Sequence, residues 1–180
     1  MAAAGTAMHL AELRPKAVVA VGTCGAYAAG SARDASGASC ELAIGDVAVA
    51  HRVCLVDPSA QAGLTQFPEP MSTEIEANAA LAEGLLRAGG RRADLATTLA
   101  ITVDDTTASR IAQGARAQTE HLEAFGMAAA CAAGHIPFAV ALGVANFVGR
   151  RARDEWRGHH RRAASAAADL VIRWLRDGEI

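Results

Sequence analysis

Three polar residues stand out by type and setting. Thr23 sits in Gly22-Thr23-Cys24-Gly25-Ala26, Glu123 opens the apolar stretch 122–133, and Asn146 closes the apolar stretch 137–145. Glycines at 22 and 25 let the backbone come close to a ligand, and Thr23 adds a hydroxyl that donates and accepts. The same residues also suit a tight turn with no ligand. A carboxylate at position 123 is favoured by the helix dipole. Capping therefore competes with a second role, a bidentate acceptor for vicinal hydroxyls such as those of ribose. The amide of Asn146 donates and accepts. It can turn the chain, or in a cleft it can donate to a purine N7 or face a 6-oxo group.

Other chemistry-bearing residues have weaker claims. Asp104 and Asp105 are expected to end a strand over 97–103. Neighbours on a strand point to opposite faces, so they do not form a paired-carboxylate dyad. One can face a site while the other shapes a turn. His121 lies two residues before Glu123, as a polar rim residue or a sugar contact. His159 and His160, with Arg157, Arg161 and Arg162, form a basic run that reads as a solvated helix start. Cys24, Cys40, Cys54 and Cys131 are scattered with no C-x-x-C pair, so neither zinc nor a disulfide framework is expected.

The elements that must position these residues alternate along the chain. Helices are expected over 6–13, 73–88, 108–116, 122–133 and 161–176, with Ser72 as the cap of the second and Gly89-Gly90 as its stop. Continuous apolar runs predict buried strands over 16–22 and 137–145. A longer strand is expected over 46–56 and a β-branched one over 97–103. Two long loops, 30–39 and 58–72, separate them. Strands alternating with helices imply an α/β sandwich around a mostly parallel sheet, with ligands at the carboxyl ends of the strands.

Composition sets the outer bounds. The chain has 180 residues, enough for one domain over 1–180 with a proper core. Hydrophobic residues make up 52%, which excludes global disorder. Lys plus Arg number 17 against 19 Asp plus Glu, a net charge of −2, which gives no electrostatic case for nucleic acid. No apolar run approaches the roughly 20 residues that span a bilayer, and the amino terminus lacks the pattern of a secretory signal. A cytoplasmic protein without membrane or nucleic-acid partners is expected.

Read in order, four motifs carry a family resemblance. Gly22-Thr23-Cys24-Gly25 looks like a G-[ST]-x-G turn after a sheet strand. Ile44-Gly45-Asp46-Val47-Ala48-Val49 looks like an [IV]-G-D-[IV]-V-[IV] strand opening. His121-Leu122-Glu123-Ala124 stands where the pattern has E-M-E-A, and Val144-Ala145-Asn146 where it has V-S-D or I-S-N. Asn146 follows Glu123 by 146 − 123 = 23 positions, which agrees with that pattern. The set resembles the purine nucleoside phosphorylase and nucleosidase superfamily over essentially the whole chain. The segment from Asn146 through Gly149 and Arg151 to Trp156 is most similar to the futalosine hydrolase branch, with its S-N-x-V-G-x-R followed by Trp.

The resemblance implies a three-layer α/β sandwich with a central, mostly parallel or mixed sheet. It implies hydrolysis of the N-glycosidic bond of a 6-oxopurine, futalosine-like nucleoside, in a route to menaquinone, with release of free base and a ribose derivative. Glu123 would hold the 2′ and 3′ hydroxyls, with Leu122 and Thr23 beside the sugar. Cys24 and Gly25 would present backbone to the ligand. Asn146 would be the catalytic group at the base, in a pocket shared with Asp105, Thr106 and Thr107. A homo-oligomer, dimer or higher, is expected, with no cofactor and no metal.

Departures from the pattern open two alternatives. Ala20 stands where the phosphorylases with this turn carry an Arg, so water is expected as nucleophile; the alternative is a phosphate-dependent phosphorylase. Relative to the family, the chain is expected to lack residues ahead of the helix at 6–13. Thr106 and Thr107 occupy the aromatic base-stacking position, and His121 replaces a Glu. A catalytically impaired nucleoside-binding paralogue is the second alternative. An Asn cannot deliver a proton to N7, but it can hydrogen-bond there and discriminate a 6-oxo from a 6-amino base.

Overall fold

The computed structural model describes residues 2–31 and 41–178. The loop expected over 30–39 and Cys40 lie, from residue 32 onward, outside the described residues. In chain order the elements are α1 (Ala2–Leu13), β1 (Val18–Ala26), β2 (Val47–Leu55), α2 (Pro58–Gln61), β3 (Glu74–Glu76) and α3 (Ala79–Arg87). Then follow β4 (Arg91–Thr97), α4 (Asp105–Ala115), β5 (Thr119–His121), α5 (Ala124–Ala133), β6 (Phe138–Phe147) and α6 (Ala152–Arg176).

The strands form one mixed sheet in the order β3-β2-β4-β5-β1-β6. β1 runs parallel to β6, β2 to β4, and β4 to β5; β1 is antiparallel to β5 and β2 to β3. β2 also pairs antiparallel with β6, Val47 to Val49 lying opposite Gly143 to Ala141. The sheet therefore curls until its two sides meet, and its faces divide the core. α5 packs Ala124, Phe125, Ala128 and Cys131 into a cluster with Leu95, Val140, Leu142 and Val144. On the other face, α3 and α6 bring Leu85, Ala167, Leu170 and Trp174 against Val47, Val49, Ala139 and Ala141. α4 covers a third patch, with Ile111 and Ala112 among Tyr27, Cys54 and Ala96. The alanine-rich faces let these layers approach closely. A Cβ at Gly143 would run into the backbone of Ala163, so only glycine lets α6 lie on β6 there.

Several expected boundaries are corrected by packing. The helix expected over 73–88 divides into β3 and α3. Ile75 alternates between Glu74 and Glu76 and pairs with Val53, while Asn78, not Ser72, accepts the Leu81 N–H as the cap of α3. The strand expected over 97–103 lies earlier, at β4, because Ala93 and Leu95 reach the core. Ile101 and Val103, β-branched as they are, stand 60% and 69% exposed. Asp104 consequently caps α4 and Asp105 is its first residue, rather than both ending a strand. The expected loop 58–72 contains α2, which Asp57 caps. The last helix starts at Ala152, so the basic run 157–162 lies within it and not at its start. The strand β5 has no counterpart among the expected elements; three residues are too short to show a period.

The buried guanidinium of Arg52 joins four of these elements. It donates to Glu74 Oε1 at 2.6 Å on β3, to Asp94 Oδ2 at 3.2 Å on β4 and to the Ala115 carbonyl at 2.8 Å on α4. A buried cation needs this degree of pairing to be tolerated.

Candidate active site

A cavity of about 830 Å³ opens where β1, β5 and β6 end and α5 and α6 begin. Thr23, Cys24, Gly25, Leu122, Glu123 and Asn146 all line it. Helix start and strand end thus meet at one space. Asp105, Thr106 and Thr107 do not share its lining. Asp105 borders a neighbouring cavity of about 690 Å³ and is held by Arg150, whose N–H lies 3.0 Å from Oδ1 and whose Nε lies 2.5 Å from Oδ2. These bonds hold its carboxyl below the usual range. Thr107 is bound to the Asp104 cap through its N–H and hydroxyl at 2.7 and 2.8 Å. Ile101 and Val103 line the cavity in their place.

The stretch Gly22 to Ala26 is not a turn. It continues β1, and a bulge shapes it: Cys24 lies opposite Val144 but Gly25 lies opposite Asn146, so Ala145 is the extra residue. An unbroken strand would place Asn146 on the same face as Val144, in the α5 core. The bulge turns it to the opposite face, beside Gly25. A Cβ on Gly25 would come within 2.8 Å of both Asn146 Nδ2 and Val148 Cγ2. The missing side chain keeps this floor open. Asn146 is 8% exposed and donates one N–H to the Phe147 carbonyl at 2.9 Å; among the described residues its second N–H and Oδ1 remain for a ligand.

Glu123 occupies the N-cap position of α5, yet its side chain makes no capping bond. His121 caps the helix instead, with Nδ1 accepting the N–H groups of Glu123 and Ala124 at 3.2 and 3.1 Å. Thr97 Oγ1 accepts the next, from Phe125, at 3.0 Å. With Nδ1 committed as acceptor, the proton sits on Nε2, which lies 3.3 Å from Glu123 Oε2. Burial, opposed by the charge of Glu123, lowers the His121 pKa and keeps the ring neutral. The half-exposed carboxylate of Glu123 is therefore oriented by an imidazole and remains available to the cavity.

Thr23 accepts a hydrogen bond from Trp156 Nε1 at 3.2 Å, and the indole stacks on His160 with centroids 4.3 Å apart. The Thr23 hydroxyl proton stays available for a ligand. Cys24 also lines the cavity, but burial pushes its thiol up to about 12, so it is protonated and no nucleophile at neutral pH. Sequence reasoning passed over Glu120, Ile101, Val103 and Trp156 as lining residues. Of these, Trp156 carried a signal, as the Trp that follows the Asn146 motif. Glu120 reaches the cavity through the unforeseen β5.

The chain shares its fold with solved nucleosidases, and the cavity lies at the strand ends of that fold. Among solved structures with the same fold is the 5′-methylthioadenosine/S-adenosylhomocysteine nucleosidase of Neisseria meningitidis in complex with methylthio-immucillin-A. It has a TM-score of 0.80 at 18% identity over 98% of this chain and 76% of that one. The futalosine hydrolase of Helicobacter pylori gives 0.82 at 15% identity, covering 98% and 74%. The S-adenosylhomocysteine nucleosidase of Streptococcus pyogenes with 5-methylthiotubericidin gives 0.82 at 18%, covering 99% and 75%. No family model and no curated protein matches the sequence.

Proposed function

We propose that the chain hydrolyses the N-glycosidic bond of a purine nucleoside with a 6-oxo base, futalosine-like, releasing free base and a ribose derivative. The observation that carries this reading is the uncapped Glu123 carboxylate sharing one cavity with Thr23 and Asn146. In the proposed mechanism Glu123 accepts hydrogen bonds from the 2′ and 3′ hydroxyls, and Thr23 donates beside the sugar. Asn146 hydrogen-bonds N7 as the bond breaks. Cleavage passes through a cation-like ribosyl group, so an anionic carboxylate against the diol and a donor at the departing base both strengthen in the transition state. Water adds its oxygen to C1′ as the C–N bond breaks, the bonding pair leaves with the base, and the proton released by the water is taken up by the base through solvent; Ala20 is buried in the α5 core and offers no cation to a phosphate.

The test incubates the protein with futalosine, inosine and adenosine, with and without phosphate, and follows free base against a Glu123→Ala control. Release that does not depend on phosphate supports the proposal. No release above the control rejects it, and strict dependence on phosphate replaces it with a phosphorylase.

The same reading places the protein in the cytoplasm, in a route to menaquinone, as a homo-oligomer. Among the described residues no helix is long and apolar enough to cross a membrane. Ile101 and Val103 line the cavity and stand 60% and 69% exposed, and Leu99 in the same segment is 85% exposed; a second copy would cover this apolar segment. Light scattering at micromolar concentration tests this; a monomer refutes it.

A further inference from the structure

We infer that Glu120 sets base specificity, its carboxylate accepting the N1–H of a 6-oxopurine that lies over Gly25 between Glu120 and Asn146. The inference rests on the nucleosidase reading and names the edge of the base that is recognised.

Strand register brings the two groups together. Gly25 pairs with Glu120 on β5 and with Asn146 on β6. Residues opposite one another in a ladder share a face, so a carboxylate and a carboxamide stand on the same side of three adjacent strands, with no side chain between them. Both line the cavity.

Glu120 keeps one acceptor position open among the described residues. The side chain is buried, at 7% exposed. Among the described residues, Oε2 accepts from the Tyr27 hydroxyl at 3.0 Å and the Thr102 hydroxyl at 2.6 Å, and Oε1 accepts the Thr102 N–H alone, at 3.2 Å. A carboxylate offers about four acceptor positions. Three are filled by described residues, which leaves one on Oε1. Tyr27 is a dependable donor, because burial and then the charge of Glu120 push its phenol up. All three of these groups donate to Glu120, so its side chain faces the cavity floor as an acceptor.

A 6-oxopurine answers this arrangement along one edge: N1–H is a donor for Glu120, while O6 and N7 accept from the second N–H of Asn146. A 6-aminopurine presents an N1 lone pair to the carboxylate instead. That mismatch leaves a buried charge opposed by a lone pair, the kind of polar mispairing that rejects ligands most strongly.

The experiment compares inosine with 1-methylinosine, which lacks the N1–H, on the intact protein. It also titrates hypoxanthine and 1-methylhypoxanthine calorimetrically, so that recognition is measured apart from turnover. Loss of the charge-assisted bond is expected to weaken the methylated ligand about 10- to 100-fold in kcat/KM and in Kd. Glu120→Gln is expected to weaken hypoxanthine and to narrow its preference over the methylated base. Equal affinity of the two bases for the wild-type protein, or no binding of hypoxanthine, overturns the assignment. Preferential hypoxanthine binding without release of base from any nucleoside keeps the assignment and rejects the hydrolase reading instead.

Discussion

Glu120 and Glu123 stand three residues apart and border one cavity, but the fold treats them oppositely. Glu120 belongs to a strand, is 7% exposed, and receives three hydrogen bonds from Tyr27 and Thr102. Glu123 precedes a helix, has a side chain 55% exposed, and among the described residues touches one imidazole. The floor of the cavity is built into the sheet, where register and neighbours leave a side chain one position. Its rim is built from helix starts, where a carboxylate is held by one partner and by the dipole of α5. Recognition of a planar base suits the first kind of site; gripping a flexible sugar suits the second.

The largest effect that separates the two regions is expected at the rim. Glu123→Ala should lower kcat/KM by at least about 100-fold, since charge-assisted bonds to two hydroxyls disappear, and should leave stability within about 0.5 kcal/mol. Base-release assays and a urea melt check this pair of results. A matching loss of stability would show that Glu123 is structural after all.

The floor should behave in reverse. Tyr27→Phe removes a buried donor to a carboxylate and is expected to cost about 1.5–3 kcal/mol of folding free energy, read from the denaturation midpoint. Gly25→Ala adds a methyl within 2.8 Å of Asn146 Nδ2 and Val148 Cγ2. Overpacking of this kind costs about 1–3 kcal/mol, and here it should also abolish calorimetric binding of base. An alanine variant that binds normally would mean that the base does not lie over position 25.

The smallest expected effect is a pH slope. His121 has a folded pKa below its ordinary value of 6.5, chiefly through burial. Below pH 6.5 the unfolded chain takes up a proton that the folded ring resists, so the unfolded state binds more protons and stability falls as pH drops. The loss develops from 6.5 down to the depressed folded pKa. Stability curves of wild type and His121→Gln between pH 5 and 8 should converge on the acid side. Parallel curves would remove the neutral-imidazole assignment.

Much of this architecture was legible in residue order. The apolar runs at 16–22 and 137–145 marked β1 and β6, Gly134 marked the end of α5, and the spacing of Glu123 and Asn146 anticipated a shared cavity. Local pattern misled where tertiary packing outweighed propensity. Glu74 and Glu76 resembled the first turn of a helix until Arg52 and β2 claimed that segment for the sheet edge. Ile101 and Val103 resembled strand residues, yet their side chains stand by the cavity mouth.

Hydrophobic periodicity and motif order, being properties of neighbouring residues, determined the α/β class and singled out Thr23, Glu123 and Asn146 as candidates. What only the folded chain decided was direction. A single extra residue at Ala145 turns Asn146 from the α5 core toward Gly25, and Glu120 joins it through β5. His121 takes over the helix cap and thereby leaves Glu123 to the cavity. These outcomes depend on register and hydrogen-bond competition between segments distant along the chain, and no window of adjacent residues contains that information.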